Sequence, residues 1–154
     1  IEKDPLGTGG ALKNSESYIE PDSNFLVLNG DIMTNMTPPD LALAPSSSDP
    51  NLIGIISVVG LRSPFGEVEI DNGGYISKFA EKPLHDDYWI NAGVYCFNHE
   101  IFSYLPSSGS LESDVFPVLA TENKLMAIKQ SNIKWRSIDS HKDIEEANNE
   151  FGNL

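Results

Sequence analysis

The chain has 154 residues, of which 40% are apolar and 21% charged, and its 23 acidic against 10 basic residues give a formal net charge of −13. This length and apolar fraction predict one folded domain rather than a disordered chain, and no apolar run reaches the ~18 residues that would indicate a membrane span. The negative charge disfavours a nucleic-acid partner, because the basic residues are scattered along the chain.

The chain starts at Ile1 and at once enters a glycine-rich segment, as though it had been cut from a longer polypeptide. Residues 5–10 (PLGTGG) place glycines at a predicted junction between a loop and a helix. Without Cβ atoms, their backbone groups could approach a flat base or a phosphate. A plain turn at the start of a helix explains the same residues, since neither the dinucleotide fingerprint nor the P-loop pattern is present.

Two strands are predicted next. Residues 25–28 (FLVL) form a continuous apolar run closed by Asn29, Gly30 and Asp31, which is typical of a buried parallel strand that ends in a loop. Residues 53–59 form the second buried strand. Between them, four prolines and a serine run predict a loop, with a short helical turn over residues 40–44.

Asp31 is the first candidate ligand. A carboxylate that directly follows a strand and a glycine faces the crevice at the sheet edge, where α/β sheets gather their ligands. It could there hold Mg²⁺, with water and substrate phosphates completing the octahedron. An Asx turn or a helix cap explains the same residue.

Residues 67–79 predict a β-hairpin, because alternating apolar positions flank the sequence DNGG at 71–74. Pro83 ends the second strand and could turn Glu81 and Lys82 toward one cleft. A carboxylate on sugar hydroxyls beside a cation on a phosphate would make a sugar-phosphate site. A solvated strand end is the alternative.

Residues 89–97 predict another strand, in which Gly93 indicates a bulge or a close approach of two backbones. Cys96 lies in this apolar run, and no base neighbours it in the sequence. We therefore expect a buried cysteine rather than a reactive thiol. The single cysteine and the absence of a signal peptide point to the cytoplasm.

The last third of the chain predicts helices around two short strands, at 125–128 and 133–138. Leu111, Val115 and Leu119 recur at helical spacing, and Pro117 should kink or restart that helix. Residues 140–143 (SHKD) resemble a capping box ahead of an amphipathic C-terminal helix. Strands that alternate with helices indicate an α/β domain with a mixed sheet.

Other chemistries find little support in the sequence. The three histidines, His85, His99 and His141, lack the spacing of zinc ligands, and there is no G-x-S-x-G nucleophile motif.

Seven segments, taken in order, resemble the sugar-1-phosphate nucleotidyltransferases. They span nearly the whole chain: residues 5–10, 25–31, 65–69, 81–83, 90–95, 110–117 and 135–148. Residues 7–10 and 110–117 are most similar to the guanylyltransferases that act on mannose 1-phosphate or heptose 1-phosphate. The resemblance implies a Rossmann-like, glycosyltransferase-A-like fold, in which helices flank a mixed α/β sheet.

The resemblance also implies an activity: transfer of a nucleotidyl group from an NTP, here GTP, to a sugar 1-phosphate, with release of pyrophosphate. It implies that Asp31 binds Mg²⁺ and that Asp31 and Lys82 are catalytic. Nucleotide contacts would come from Gly7, Thr8 and Gly9. Sugar-phosphate contacts would come from Gly66, Glu81, Lys82 and Asn91.

Two departures from the family pattern change what we expect of the activity of this chain and of its metal ligands. The basic, glycine-rich signature that grips the triphosphate would precede Ile1. We therefore expect residues 1–154 to be the C-terminal portion of a single nucleotidyltransferase domain, N-terminally incomplete and inactive or nearly so alone. In the family's Trp-x-Asp-Ile-Gly-Thr segment, Ser137 occupies the position of the second metal ligand, and Asp139 follows two residues later.

Two alternatives remain for the function. A non-catalytic, regulatory or binding paralogue is suggested by Ser137. A nucleotide-sugar glycosyltransferase would need an Asp-x-Asp pair, which is disfavoured because Ile32 and Met33 follow Asp31. The expected partners are an NTP and a sugar 1-phosphate, with a second copy of the chain or the missing N-terminal segment as further possibilities.

Overall fold

The computed structural model describes residues 4–39 and 49–152, so the helical turn predicted over residues 40–44 lies outside the described residues. The strands are β1 (Phe25–Leu28), β2 (Ile32–Thr34), β3 (Gly54–Arg62), β4 (Glu67–Ile70), β5 (Ile76–Ala80), β6 (Leu84–Phe97), β7 (Leu125–Lys129) and β8 (Trp135–Ser137). The α-helices are α1 (Gly7–Lys13), α2 (Phe116–Thr121) and α3 (His141–Phe151). Shorter helical turns cover Glu16–Tyr18, His99–Ser103 and Leu111–Val115.

The main sheet has the strand order β1–β6–β3–β7. Strand β6 is antiparallel to both of its neighbours, whereas β3 and β7 are parallel, so the predicted mixed sheet is confirmed. Strands β1, β3 and β7 therefore run in one direction, and their carboxyl ends lie at the same edge of the sheet. The loop that carries Asp31 follows β1 at this edge.

The expectation of a buried parallel strand at residues 25–28 is wrong in two respects. Strand β1 is antiparallel to β6, its one partner among the described strands. Leu26 and Leu28 are 46% and 57% exposed, while Phe25 and Val27 pack against the core. A continuous apolar run suggested burial on both faces, but the described structure covers only one face of this strand.

The core lies on both faces of the main sheet. Tyr95 and Phe97 of β6 pack with α2 and the turns at 99–103 and 111–115 in the largest cluster. The alternate positions Val94 and Cys96 pack into two smaller clusters, so the prediction of a buried strand cysteine is confirmed.

Across residues 4–39 and 49–152, no helix has the length and apolar character needed to cross a membrane.

Two antiparallel pairs stand beside the main sheet. Strands β4 and β5 form the predicted hairpin, and β2 pairs with β8, which is shorter than the predicted strand 133–138. The predicted C-terminal helix is confirmed as α3, and its N-cap Ser140 accepts a hydrogen bond from the amide of Asp143. Pro117 lies in the first turn of α2, where the helix restarts after the turn at 111–115.

Candidate functional site

A β-bulge at the centre of β6 shapes the site. Asn91 faces Val58 and Tyr95 faces Ile56, so three residues of β6 lie opposite Ser57 alone. Gly93, inside this bulge, has φ +70°, and a Cβ there would lie 2.9 Å from Cγ1 of Ile32. Of the two alternatives predicted at Gly93, the bulge is therefore confirmed.

The bulge and strand β8 together fix the loop that follows β1. The amide of Asn29 donates to the carbonyl of Gly93 at 2.8 Å, and the amide of Ile138 donates to the carbonyl of Asp31 at the same distance. The Asp31 side chain is exposed, and no described residue donates a hydrogen bond to its carboxylate. The described structure therefore holds neither the Asx turn nor the helix cap at Asp31, and the carboxylate is available to a ligand.

The glycine-rich segment packs against the chain itself. Helix α1 begins at Gly7, and the amides of Gly9 and Gly10 donate to the carbonyl of Gly109 at 2.9 and 3.3 Å. In return, the Gly109 amide donates to the carbonyl of Leu6 at 2.8 Å. Of the two alternatives for this segment, that of backbone groups left free for a base or a phosphate is therefore wrong for the amides of Gly9 and Gly10. Their missing Cβ atoms allow the helix to lie directly on the 107–110 loop.

Glu112 connects this helix to the main sheet. Its carboxylate accepts hydrogen bonds from the hydroxyls of Thr8 at 2.6 Å and Ser110 at 3.0 Å, and from the phenol of Tyr95 at 3.5 Å. The Tyr95 hydroxyl accepts in turn from Nδ2 of Asn91 at 2.7 Å. A continuous hydrogen-bonded chain therefore runs from Thr8 to Asn91. Sequence reasoning missed Glu112 and Tyr95, although both lie within segments that carry the family resemblance.

A cavity of about 590 Å³ lies between α1 and the end of β1. Its lining residues are Thr8, Ala11, Leu12, Ser15, Val27, Leu28, Asn29, Gly30, Asp31, Leu111 and Glu112. The lining includes two carboxylates and, among the described residues, no lysine, arginine or histidine. A phosphate in this cavity would therefore need a cation from elsewhere to offset the repulsion.

The predicted sugar-phosphate residues form a separate group at the base of the hairpin. A Cβ on Gly66 would lie 2.9 Å from Oε2 of Glu81, so these two residues are in contact. Lys82 has φ 47°, which turns the chain sharply just before Pro83, and both charged side chains are exposed. None of the three lines the cavity beside Asp31, and Asn91, which lies on β6, does not line it either.

Ser137, at the position where the family resemblance implies a second metal ligand, differs from Asp31 in its surroundings. Ser137 lines another cavity of about 400 Å³, together with Trp89 and Trp135, and its hydroxyl donates to Oδ2 of Asp139 at 2.7 Å. Residues 4–39 and 49–152 contain no cluster of three or more His, Cys, Asp or Glu arranged for a metal. The donor set fits a Mg²⁺ ion bound by Asp31 together with substrate phosphates, rather than one enclosed by protein ligands.

Tyr95 is a buried titratable group in this network. Burial raises the pKa of its phenol to about 12, the hydrogen bond from Asn91 lowers it, and the nearby charge of Glu112 raises it. The hydrogen bonds fix both the ring hydroxyl and the amide of Asn91. Asn91 also caps the bulge, because its Oδ1 accepts from the amide of Gly93 at 3.0 Å.

This raised pKa predicts a pH-dependent stability. Above the unfolded value of 10.0, the folded chain keeps a proton that the unfolded chain loses, so stability falls as the pH rises from about 10 to about 12. Tyr95→Phe should remove this part of the pH dependence, whereas Tyr75→Phe, at a 76% exposed ring, should retain it. The free energy of unfolding, measured with urea at pH 9 and at pH 11, tests this. If this free energy falls equally between the two pH values in both variants, the prediction is contradicted.

Comparisons with known proteins agree with this architecture. A family model described as "Nucleotidyl transferase" matches residues 1–153. The chain is 32% identical over 143 residues to the mannose-1-phosphate guanylyltransferase catalytic subunit beta of Dictyostelium discoideum, covering 91% of this chain and 40% of that protein. The mannose-1-phosphate guanyltransferase of Saccharomyces cerevisiae is 29% identical over 149 residues, covering 94% of this chain and 41% of that protein.

Solved structures of HddC from Yersinia pseudotuberculosis share the fold. One superimposes with a TM-score of 0.64 at 29% identity, and a complex with GMP-PN superimposes with a TM-score of 0.63 at 30% identity. Each match covers 98% of this chain and 65% of HddC. The chain thus spans about two fifths of the guanylyltransferases and 65% of HddC. By the match along residues 1–153, and by a fold with a mixed sheet flanked by helices, the chain belongs to the nucleotidyl transferase family.

Proposed function

We propose that the protein containing this chain transfers a guanylyl group from GTP to a sugar 1-phosphate, giving a nucleotide sugar and pyrophosphate. The observation that carries the proposal is the hydrogen-bonded chain from Thr8 through Glu112 and Tyr95 to Asn91. It joins a segment expected at the nucleobase to a residue expected at the sugar phosphate. The choice of guanine is supported by the mannose-1-phosphate guanylyltransferases and by the HddC complex with GMP-PN.

In the proposed reaction, an oxygen of the sugar phosphate forms a bond to the α-phosphorus of GTP. The bond from that phosphorus to the bridging oxygen of the β-phosphate breaks, and pyrophosphate leaves with the electron pair. Both reactants are anions, so the protein must act mainly by holding them in line and offsetting their charge. We assign Lys82 to the sugar phosphate and Glu81 to the sugar hydroxyls. Gly66 gives Glu81 the space that it needs.

The remaining roles follow the two groups of site residues. Gly7, Thr8 and Gly9 border the nucleobase, and the Thr8 hydroxyl is held in place because the Leu111 amide donates to it at 2.8 Å. Asn91 contacts the sugar phosphate through the Nδ2 hydrogen that Tyr95 does not use. Asp31 would hold Mg²⁺, which supplies positive charge beside the phosphates in an otherwise acidic cavity.

We also propose a cytoplasmic location, on the basis of the single, buried cysteine.

Pyrophosphate release is the direct test. We expect release from GTP, and not from UTP or dTTP, when mannose 1-phosphate or heptose 1-phosphate and Mg²⁺ are supplied to a polypeptide that contains this chain and the family's basic signature. Asp31→Asn should reduce turnover at least ~100-fold, by loss of charge stabilisation. Asp22→Asn, at an exposed carboxylate outside the cavity, should leave turnover unchanged. Turnover by residues 1–154 alone would contradict the expectation that these residues are inactive or nearly so by themselves.

A regulatory or binding paralogue is the second candidate. It is favoured by Ser137, a neutral hydroxyl at the second ligand position that already donates to Asp139. Mg²⁺ titration of the same longer polypeptide distinguishes the two candidates. If that polypeptide carries the basic signature and neither binds Mg²⁺ nor releases pyrophosphate, the regulatory candidate is correct.

A further inference from the structure

Two short segments join the β4–β5 hairpin to the main sheet. The ladder of β3 and β6 ends at Arg62, and the ladder of the hairpin begins at Glu67. We call the two segments between these ladders, residues 63–66 and 81–83, the junction. It contains three of the residues assigned to the sugar phosphate: Gly66, Glu81 and Lys82. The geometry of the junction therefore decides how these three residues are placed relative to one another and to the main sheet.

Lys82 is held in the junction by its backbone. Its φ of 47° is one that lysine seldom adopts, so contacts around the junction must maintain it. No described side chain forms an ion pair with its ammonium group. Nη1 of Arg62 donates to the carbonyl of Lys82 at 3.3 Å. Beside this bond, the amide of Ser63 donates to the carbonyl of Pro83 at 2.9 Å. A change in the shape of the junction would therefore move the Lys82 side chain directly.

One contact between side chains spans the junction. Nε2 of His85, on β6, lies 2.7 Å from Oε1 of Glu67, on β4, and the ring of Tyr88 packs edge-on against the imidazole. The side chains of His85 and Glu67 are 32% and 44% exposed, so water and salt screen this contact less than a fully exposed one. Lys78 and Glu69 also pair, at 2.8 Å, but both belong to the hairpin. Of these two pairs, only the first connects the hairpin to the main sheet.

We propose that Glu67 and His85 are positioning residues for the sugar phosphate, and that their contact fixes the junction so that Glu81 and Lys82 meet the ligand together. The identity of the ligand, a sugar 1-phosphate, rests on the proposed function. Glu67 directly follows Gly66, and His85 lies three residues after Lys82, so the contact closes the chain around the assigned residues. A junction that is ordered before the ligand arrives loses less freedom on binding, and this raises the affinity.

Loss of the contact should act through the fraction of molecules that can bind. Without it, the junction takes up further conformations, and the apparent affinity falls in proportion to the fraction that still places Lys82 correctly. Once bound, the ligand restores the geometry, so the rate of the chemical step should change little. Neither Glu67 nor His85 lines the cavity beside Asp31. The affinity for GTP should therefore be unaffected.

Isothermal titration calorimetry is the first test, on the polypeptide that contains this chain and the family's basic signature. The ligands are GTP, mannose 1-phosphate and heptose 1-phosphate. Glu67→Ala should weaken the binding of sugar 1-phosphate about tenfold and that of GTP less than about twofold. Retained affinity for GTP also shows that the variant is folded. Glu69→Ala, which breaks the pair with Lys78 inside the hairpin, should bind all ligands like the unaltered polypeptide.

Pyrophosphate release provides a second measurement. Glu67→Ala should raise the KM for sugar 1-phosphate about tenfold with little change in kcat, as expected when only the ordering of the free enzyme is lost. His85→Ala should behave in the same way. The double variant should bind no more weakly than either single variant, because both substitutions remove the same contact.

Three results would each overturn the inference: equal affinity of Glu67→Ala and Glu69→Ala for sugar 1-phosphate, an equal loss of affinity for GTP, and additive losses in the double variant. Failure of the proposed function gives a different result. A polypeptide that binds a sugar 1-phosphate but releases no pyrophosphate contradicts the proposed function, and the affinities of the variants then decide the inference. A polypeptide that binds neither sugar 1-phosphate overturns both.

Discussion

Alanine in place of Gly7 is expected to destabilise the chain by about 3 kcal/mol or more. Gly7 has φ +74°, and its added Cβ would lie 2.4 Å from the carbonyl oxygen and 2.9 Å from the carbonyl carbon of Gly109. Both are backbone atoms, so no side-chain rotation can relieve the overlap. Helix α1 would have to move off the 107–110 loop, which breaks the hydrogen bond from the Gly9 amide to Gly109.

Gly30→Ala is the matched control for this prediction. Gly30 lies in the other loop of the same cavity, and its added Cβ would meet nothing within 4 Å. We expect a change within ~0.5 kcal/mol, as at an ordinary surface position. Urea unfolding of both variants measures the difference. If Gly7→Ala proves as stable as Gly30→Ala, helix α1 does not pack directly against the backbone of Gly109.

Glu112→Ala should affect both stability and nucleotide binding. It removes the acceptor for the Thr8 and Ser110 hydroxyls and the nearby charge beside Tyr95, at a cost of about 2 kcal/mol in unfolding free energy. Because Thr8 and Asn91 lose their common support, we expect affinity for a guanine nucleotide to fall about tenfold or more in the longer polypeptide. Unfolding experiments and isothermal titration calorimetry measure the two effects.

The control for Glu112 is Glu145→Ala, at an exposed carboxylate of α3 outside both cavities. This variant should change neither stability nor affinity. A double-mutant cycle with Thr8→Val isolates the link between the two side chains. Strictly additive losses would mean that Glu112 does not act through Thr8.

Several parts of the fold could be predicted because their signals are local. The DNGG turn, the Ser140 cap and the restart at Pro117 each depend on residues a few positions apart. The same is true of Gly93, where a glycine inside an apolar strand indicated a bulge or a close approach, and the structure shows the bulge. Strand β1 was misjudged because an apolar run does not reveal which of its faces is covered.

The site was predictable only in part, for a related reason. Asp31 and Glu81 were singled out from short motifs, whereas Gly66 was named only by the family resemblance, and the structure brings Gly66 and Glu81 into contact. The link from Thr8 to Glu112 joins residues 104 positions apart, and no local spacing reveals such a pair. The hydrogen bonds from the amides of Gly9 and Gly10 to the carbonyl of Gly109 were missed for the same reason, because Gly109 is distant in the sequence.

The positions of the two tryptophans determine how ligand binding can be observed. Trp89 and Trp135 both line the cavity of about 400 Å³, and the indole N–H of Trp135 donates to the Ala92 carbonyl at 2.8 Å. The ammonium group of Lys129 lies 4.6 Å from the Trp89 ring centroid. Intrinsic fluorescence therefore reports on this side of the sheet. A nucleotide that occupies the cavity beside Asp31, whose described lining contains no indole, would bind with little change in emission.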